Sequence, residues 1–163
     1  MLSPALLVAT ALVTPNPLAQ DPLALDPRLV FGQSESELNP VFETLCERHD
    51  LVVLDPAELP IAQSRHEQVN CTGFHHAGRL REAEFVFADG ALAFVWVLTE
   101  AEEEATHLAA MRASYGAPTH DTALFVAFAD HNTALRRDVP EFLYYSDAIA
   151  PMYRGWFDQM ATQ

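Results

Sequence analysis

The chain has 163 residues, 50% of them hydrophobic and 10% aromatic, so it is long enough to bury the core of one globular domain. Its 23 acidic side chains outnumber the 9 basic ones, which gives a formal net charge of -14 at pH 7. Such a charge repels phosphate backbones and anionic membrane surfaces, and this argues against a nucleic-acid partner.

The N-terminus has the pattern of a secretory signal peptide. Residues 1–19 contain no charged side chain, and the apolar run Ala5–Val13 has the length of a signal-peptide core rather than of a membrane span. Pro15 and Pro17 would end a helix, and the small Ala19 suits the position before a cleavage site. We therefore expect a signal peptide over 1–19, a periplasmic or secreted protein, and no transmembrane segment after cleavage. The alternative is an N-terminal helix that packs against the fold.

The chain contains two cysteines, Cys46 and Cys71. An even number of cysteines in an exported chain favours a disulfide, with a pair of buried free thiols as the alternative. A zinc site is less favoured because neither cysteine belongs to a C-x-x-C unit. A disulfide here would close a loop of about 25 residues and stabilise the fold by about 3 kcal/mol if it acts through chain entropy.

The proline-rich residues 20–33 predict an extended leader into a single domain over 34–163. That domain should begin with a helix near 37–49, which either Ser34 or Ser36 can cap. An apolar face of this helix carries Leu38, Val41, Phe42, Leu45 and Cys46.

Two strands should follow this helix. The segment 51–55 is short, apolar and rich in β-branched residues, which predicts the first strand. The proline-bounded segment 56–60 predicts a turn. The second strand should hold Val69, Cys71 and Phe74.

The clearest structural signal is a β-hairpin over 83–98. Asp89 and Gly90 lie between two apolar runs and suit a two-residue turn of type I′. The register that follows from this turn pairs Ala88 with Ala91, Phe87 with Leu92, Phe85 with Phe94, and Ala83 with Trp96. The second strand is apolar on both faces, so we expect it to be central in the sheet and covered on both sides by helices.

A helix near 100–115 should come next. Thr99 and Glu102 have the spacing of a capping box, and Gly116 suits the end of the helix. The side chains expected to face the sheet are Ala101, Ala105, Leu108 and Tyr115.

The C-terminal third predicts two more strands and a helix. The strands should run over 122–129 and over 133–146, the latter broken at Pro140. The helix is expected near 148–160, where apolar residues recur every three or four positions and so share one face. They are Ile149, Met152, Tyr153, Trp156, Phe157 and Met160. The whole order predicts an α+β fold with an antiparallel sheet of about five strands around the hairpin 83–98, packed by helices near 37–49, 100–115 and 148–160.

The chain has no G-x-S-x-G, P-loop, H-E-x-x-H or glycine-rich dinucleotide motif. The pairs His120-Asp121 and Asp130-His131 are candidate binding residues, since imidazole and carboxylate groups can bind ligands or metal ions. They flank a predicted eight-residue strand, which would separate them by about 25 to 30 Å. We therefore expect turn residues here, with no metal site and no cofactor.

A further candidate binding patch consists of Arg136, Arg137 and Asp138 beside Tyr144 and Tyr145, with solvated arginines at a sheet edge as the favoured alternative. Trp156 is a candidate docking residue on the last helix, although aromatic residues with helical spacing more often pack in a core. If Trp156 is core, its replacement by alanine should cost about 3 to 5 kcal/mol.

No reaction is indicated by these patterns. The hypothesis they favour is an exported, non-catalytic protein that binds an envelope protein or a small-molecule ligand. The alternative is a periplasmic enzyme, such as a metal-assisted hydrolase that uses His120, Asp121 or His131. A concave pocket that brings three such groups within ligand distance would favour the enzyme.

Overall fold

The computed structural model describes residues 21–54 and 61–162, and these residues form three α-helices and eight β-strands. The helices are α1 (Glu35–Leu45), α2 (Glu104–Tyr115) and α3 (Ala150–Ala161). The strands are β1 (Arg48–Leu54), β2 (His66–His76), β3 (Arg79–Ala88), β4 (Ala91–Leu98), β5 (His120–Asp121), β6 (Phe125–Phe128), β7 (Thr133–Arg136) and β8 (Glu141–Tyr145). The predicted signal peptide and the predicted turn at 56–60 lie outside the described residues. Within these ranges, no helix combines the length and the apolar character needed to cross a membrane.

All eight strands belong to one antiparallel sheet, in the order β1-β2-β3-β4-β8-β7-β6-β5. The predicted α+β architecture with an antiparallel sheet is confirmed, but the expected number of about five strands is wrong. The segment 122–129 is not one strand, because the Thr122 hydroxyl accepts hydrogen bonds from the backbone N–H groups of Leu124 and Phe125 and turns the chain. The segment 133–146 folds at 137–140 into two neighbouring strands, β7 and β8.

The hairpin turn at Asp89 and Gly90 is confirmed. Both residues have positive φ angles, 51° and 85°, as a type I′ turn requires. The Asp89 carboxylate also accepts hydrogen bonds from the backbone N–H groups of Gln63, Ser64 and Arg65, at 3.1, 2.7 and 3.0 Å. These bonds hold the pKa of Asp89 well below its usual range and fasten the segment before β2 to the hairpin.

The predicted register of the hairpin is correct only next to the turn. Ala93 is an extra residue in β4, so that Val86 opposes Phe94, Phe85 opposes Val95, Glu84 opposes Trp96, and Ala83 opposes Val97. The predicted pairs of Phe85 with Phe94 and of Ala83 with Trp96 are therefore wrong. Phe94 and Trp96 lie on the sheet face opposite to Phe85.

The two faces of the sheet carry separate cores. On the first face, called here the α1/α2 face, the core includes Leu23, Leu29, Leu38, Phe42, Phe85, Phe87, Val95, Met111 and Phe142. On the second, the α3 face, it includes Val86, Phe94, Phe125, Ala134, Leu143, Tyr145 and Phe157. Strand β4 contributes buried side chains to both cores, so the expectation of a central strand between helical layers is confirmed.

Helix α1 ends earlier than expected because of the disulfide. The Ser34 hydroxyl and the Glu37 carboxylate form a capping box at its start. The helix stops at Leu45, and Cys46 adopts extended backbone and forms the predicted disulfide with Cys71 in β2. The helix predicted up to His49 is therefore too long, since 48 to 54 form strand β1. The bond ties α1 to the sheet and stabilises the fold by about 3 kcal/mol in the chain-entropy account.

Helix α2 starts one turn later than predicted. A 3-10 turn over Ala101–Glu103 precedes it, and the capping box is formed by Glu100 and Glu103 rather than by Thr99 and Glu102. Arg81 in β3 binds the Glu103 carboxylate at 2.8 Å and so fixes the rotation of the helix. The sheet-facing residues are consequently His107, Leu108 and Met111, with Tyr115 partly buried, whereas Ala101 and Ala105 are exposed.

Candidate functional site

Helix α3 only partly covers its sheet face. Its predicted apolar spacing is real, and Phe157 is completely buried against the sheet. However, Trp156 is 40% exposed and Met152 is 44% exposed. These two side chains are therefore not core residues, and the cost of about 3 to 5 kcal/mol expected for Trp156→Ala is too high for this position.

A groove of about 390 Å³ lies between α3 and strands β4, β6, β7 and β8. Its lining consists of Trp96, Leu124, Phe125, Ala134, Arg136, Asp138, Leu143, Met152, Tyr153, Trp156 and Phe157. Both tryptophans of the chain are in this lining. We call this feature the α3 groove.

The walls of the α3 groove are aromatic rings that support one another. The Trp156 ring lies 5.0 Å from the ring of Phe125 and 6.0 Å from that of Tyr153, measured between centroids. Phe94 packs between Trp96, at 6.1 Å, and Tyr153, at 5.6 Å. Such contacts make a preformed apolar wall that changes little when a ligand enters.

One end of the α3 groove is polar. The Arg136 guanidinium donates hydrogen bonds to Asp138 at 2.7 Å and to Glu141 at 2.7 Å, and its central carbon lies 5.3 Å from the centre of the Trp96 ring. The sequence-based alternative of solvated arginines at a sheet edge fails for Arg136, since β7 lies between β6 and β8. We call Arg136, Asp138 and Glu141 the charged end of the groove.

The charged end holds more carboxylates than cations. The pKa of Glu141 is raised to about 7, chiefly by burial and to a smaller extent by Glu84, against the opposing effect of Arg136. Burial also raises the pKa of Glu84 itself, on strand β3, which β4 separates from β8. The hydrogen bond from Arg136 lowers the pKa of Asp138, so this more exposed carboxylate is ionised at neutral pH.

Tyr144 belongs to a buried polar cluster on the other face of the sheet. Its hydroxyl donates a hydrogen bond to the carbonyl oxygen of Leu23 at 2.9 Å. The hydroxyl proton is thereby used, so His76 Nε2, 2.8 Å from the same oxygen, must be the donor to it. This chain of bonds fastens the segment around Leu23 over the α1/α2 face. The structure thus separates Tyr144 from Arg136, its neighbour in the predicted patch.

Beside this cluster lies a second cavity, of about 720 Å³, between the segment at Leu23 and helix α2. Glu103 and His107 line it, and Glu103 is bound by Arg81. The hydrogen bond from Arg81 lowers the pKa of Glu103 to about 2, so this carboxylate is a weak base. Burial lowers the pKa of His107, which keeps its imidazole neutral near pH 7.

The two His/Asp pairs predicted as binding residues take part in separate side-chain contacts. His120 Nε2 lies 2.9 Å from Asp158, Asp130 accepts from Arg154 at 2.9 Å, Asp121 accepts from Arg137 at 2.9 Å, and His131 stacks on Tyr115 at 5.0 Å. The premise that one long strand separates the pairs is wrong, because the chain reverses after β5 and pairs His120 with Ala127.

In the two described ranges, no group of three or more histidine, cysteine, aspartate or glutamate side chains has an arrangement that could hold a metal ion. The metal-assisted hydrolase hypothesis therefore has no supporting observation there. Tyr145, the last residue of the predicted patch, stacks on Tyr153 at 4.9 Å beneath α3.

The sequence patterns placed Arg136 next to Asp138 and marked Trp156 as a candidate, but they did not show that these residues share one groove with Trp96 and Tyr153. Trp96 could not be placed because its face depends on the extra residue in β4. Comparisons of the chain with protein-family models, with curated proteins and with solved structures give no match.

The buried His76 generates a pH prediction. Burial, with Arg81 and His107 nearby, lowers the pKa of His76 to about 4 from an ordinary value of 6.5. The folded state thus favours the neutral ring, and its contribution of up to about 3 kcal/mol is lost as the pH falls from 6.5 towards 4. We expect the free energy of unfolding, measured with urea, to fall over this range more steeply for the wild type than for His76→Gln.

The glutamine amide can still donate to Tyr144 but does not titrate, and the contributions of Glu141 and His107 are common to both proteins. If the free energy of unfolding falls equally steeply for the two proteins between pH 6.5 and 4, His76 does not make the predicted contribution.

Proposed function

We propose that this protein is an exported, non-catalytic binding protein that receives a bulky apolar side chain of a partner in the α3 groove. The observation that carries this proposal is the groove itself, which brings together both tryptophans, three other aromatic rings and an exposed methionine. Aromatic, concave and preformed sites of this size are typical of ligand and peptide anchors.

The exposed apolar residues around the groove support binding. Met152, Trp156 and Leu124 are 44%, 40% and 38% exposed, and all three border the same cavity. A partner can cover large apolar side chains that cluster at one cavity, and the removal of their surface from water then favours binding. Scattered apolar side chains cannot be covered together in this way. Entry of an aromatic or aliphatic side chain would remove this surface from water.

The pairing of the charged groups favours binding over catalysis. The Arg136 guanidinium and the Asp138 carboxylate, both in the groove lining, are bound to each other, and Arg136 is also bound to Glu141. A general base or acid must exchange protons with a substrate, and these groups are already engaged. Their hydrogen bonds instead fix the shape of one end of the groove.

Export is supported by the disulfide and by the sequence pattern of residues 1–19. The bond between Cys46 and Cys71 joins α1 to β2 and is of the kind that forms in oxidising compartments. An apolar run of signal-peptide length without charge precedes the domain. We place the protein in the periplasm or outside the cell on these two grounds.

The groove is tested by intrinsic fluorescence, because both tryptophans line it. The probe is an acetylated and amidated pentapeptide in which two phenylalanines alternate with three serines. We expect a saturable change in tryptophan emission for the wild type and for Val53→Ala, which alters an exposed apolar side chain on β1. Trp156→Ala should lose most of the affinity while it lowers the free energy of unfolding by less than about 3 kcal/mol.

The proposal for the groove fails if the peptide leaves the wild-type emission unchanged, or if Trp156→Ala binds it as tightly as Val53→Ala does.

Export is tested by cell fractionation after expression of the chain with its own first residues in a Gram-negative host. We expect a periplasmic form whose intact mass lacks residues 1–19. Leu7→Arg puts a charge into the apolar run Ala5–Val13 and should retain the full chain in the cytosol. An uncleaved wild-type chain in the cytosol would contradict export.

A further inference from the structure

We infer that the partner segment received by the α3 groove is positively charged, with lysine or arginine side chains next to its apolar anchor. This inference rests on the proposed function, since it names the chemistry of the occupant of the same groove. The juxtaposition that points to it is an aromatic cavity with an excess of carboxylates at one end.

The charge balance at the charged end is the first argument. One guanidinium, Arg136, is shared by Asp138 at 2.7 Å and Glu141 at 2.7 Å. One guanidinium thus serves two carboxyl groups, and the exposed one, Asp138, is ionised. A further cation next to Asp138 therefore lowers the electrostatic energy, and a further anion raises it.

Access to this charge is the second argument. The Asp138 side chain is 42% exposed, while the Glu141 side chain is buried behind it. A lysine or arginine of a bound segment would therefore meet Asp138 at the mouth of the groove. Arg136 donates two hydrogen bonds to the Asp138 carboxylate, whose exposed side remains open to solvent and to a further cation.

The aromatic walls are the third argument. A cation over the face of an indole or phenol ring is attracted by the negative face of the ring, and Arg136 already makes this contact with Trp96 at 5.3 Å. The partly exposed Trp156 offers a second ring a short distance along the groove. Basic side chains that flank an apolar anchor would thus interact favourably both with the carboxylate at the mouth of the groove and with the aromatic rings of its walls.

The overall charge of the chain argues against other occupants. The formal net charge of -14 repels an acidic partner at long range, and it also repels a second copy of this chain. For a basic segment the same field raises the rate of association. We therefore favour a basic segment of a different protein over self-association.

The test uses three acetylated and amidated pentapeptides in which two phenylalanines alternate with three lysines, three serines or three glutamates. None contains tryptophan, so the emission reports the protein alone. We expect the lysine peptide to bind about tenfold or more tightly than the glutamate peptide, with the serine peptide between them. Raising the salt from 50 to 500 mM should shrink this ratio, because added salt screens exposed charges.

A matched pair of variants separates local from global charge. Asp138→Asn and Glu43→Gln each remove one carboxylate, but Glu43 is an exposed residue of α1 on the opposite side of the sheet. The affinity of the lysine peptide divided by that of the glutamate peptide is the measured ratio. We expect Asp138→Asn to lower this ratio several-fold more than Glu43→Gln does.

The outcomes distinguish the two proposals. No change of emission with any of the three peptides would overturn the groove as a binding site, and the charge preference with it. Equal affinity for all three peptides would overturn the charge preference alone. If Asp138→Asn and Glu43→Gln lower the ratio of the two peptide affinities equally, the charge preference of the groove is also overturned. The preference would then come from the net charge of the chain.

Discussion

The extra residue Ala93 in β4 is the constraint on which the arrangement of the molecule depends. Between Phe87 and Val86, the β3–β4 ladder shifts by one residue on the β4 side. Because side chains alternate along a strand, this single insertion sends Phe94 and Trp96 to the α3 face while Leu92 and Val95 stay on the other. Two aromatic side chains thereby become the base on which α3 packs.

The α3 groove follows from how α3 uses this base. Phe157 fills the space over Phe125 at 4.8 Å, and Tyr153 covers Phe94 at 5.6 Å. The helix therefore lies towards β5 and β6, where Asp158 meets His120. Trp156 packs with one side on Phe125 of β6 at 5.0 Å and remains 40% exposed. The space between it and Trp96 is the groove.

Both faces of the sheet contain buried ionisable groups, and the two sets differ in how they are bonded. On the α1/α2 face, His76 and Tyr144 are satisfied by each other and by the Leu23 carbonyl oxygen, so the cluster stabilises the N-terminal segment. On the α3 face, Glu141 is paired with Arg136, yet burial still raises its pKa to about 7. The ionised carboxylate at the mouth of the groove is Asp138, whose side chain is 42% exposed.

Local patterns made much of the fold predictable. The Asp89-Gly90 turn, the disulfide between Cys46 and Cys71, and the helices near their observed positions each depend on a few adjacent residues or on the cysteine count. The short strand β5 was missed because the turn at Thr122, which separates it from β6, depends on one hydroxyl that accepts from two backbone N–H groups.

The groove was not predictable for a different reason. β4 is apolar on both faces, so either register buries large side chains and no sequence signal reveals the bulge at Ala93. Trp96 is therefore assigned to the wrong face from sequence, and its proximity to Arg136 and Trp156 is lost. Arg136 itself is recognisable as a candidate, but its partner Glu141 becomes apparent only once β7 and β8 are paired.

The most direct test of the central claim is nuclear magnetic resonance mapping of the lysine-phenylalanine peptide on the ¹⁵N-labelled protein. The two tryptophans give two indole N–H signals, one from each side of the groove. The account predicts that both indole signals move, together with the backbone amides of Arg136 and Met152, while the amide of Val53 on β1 stays in place. Unmoved indole signals, with shifts centred instead on His107 beside the cavity of the other face, would contradict it.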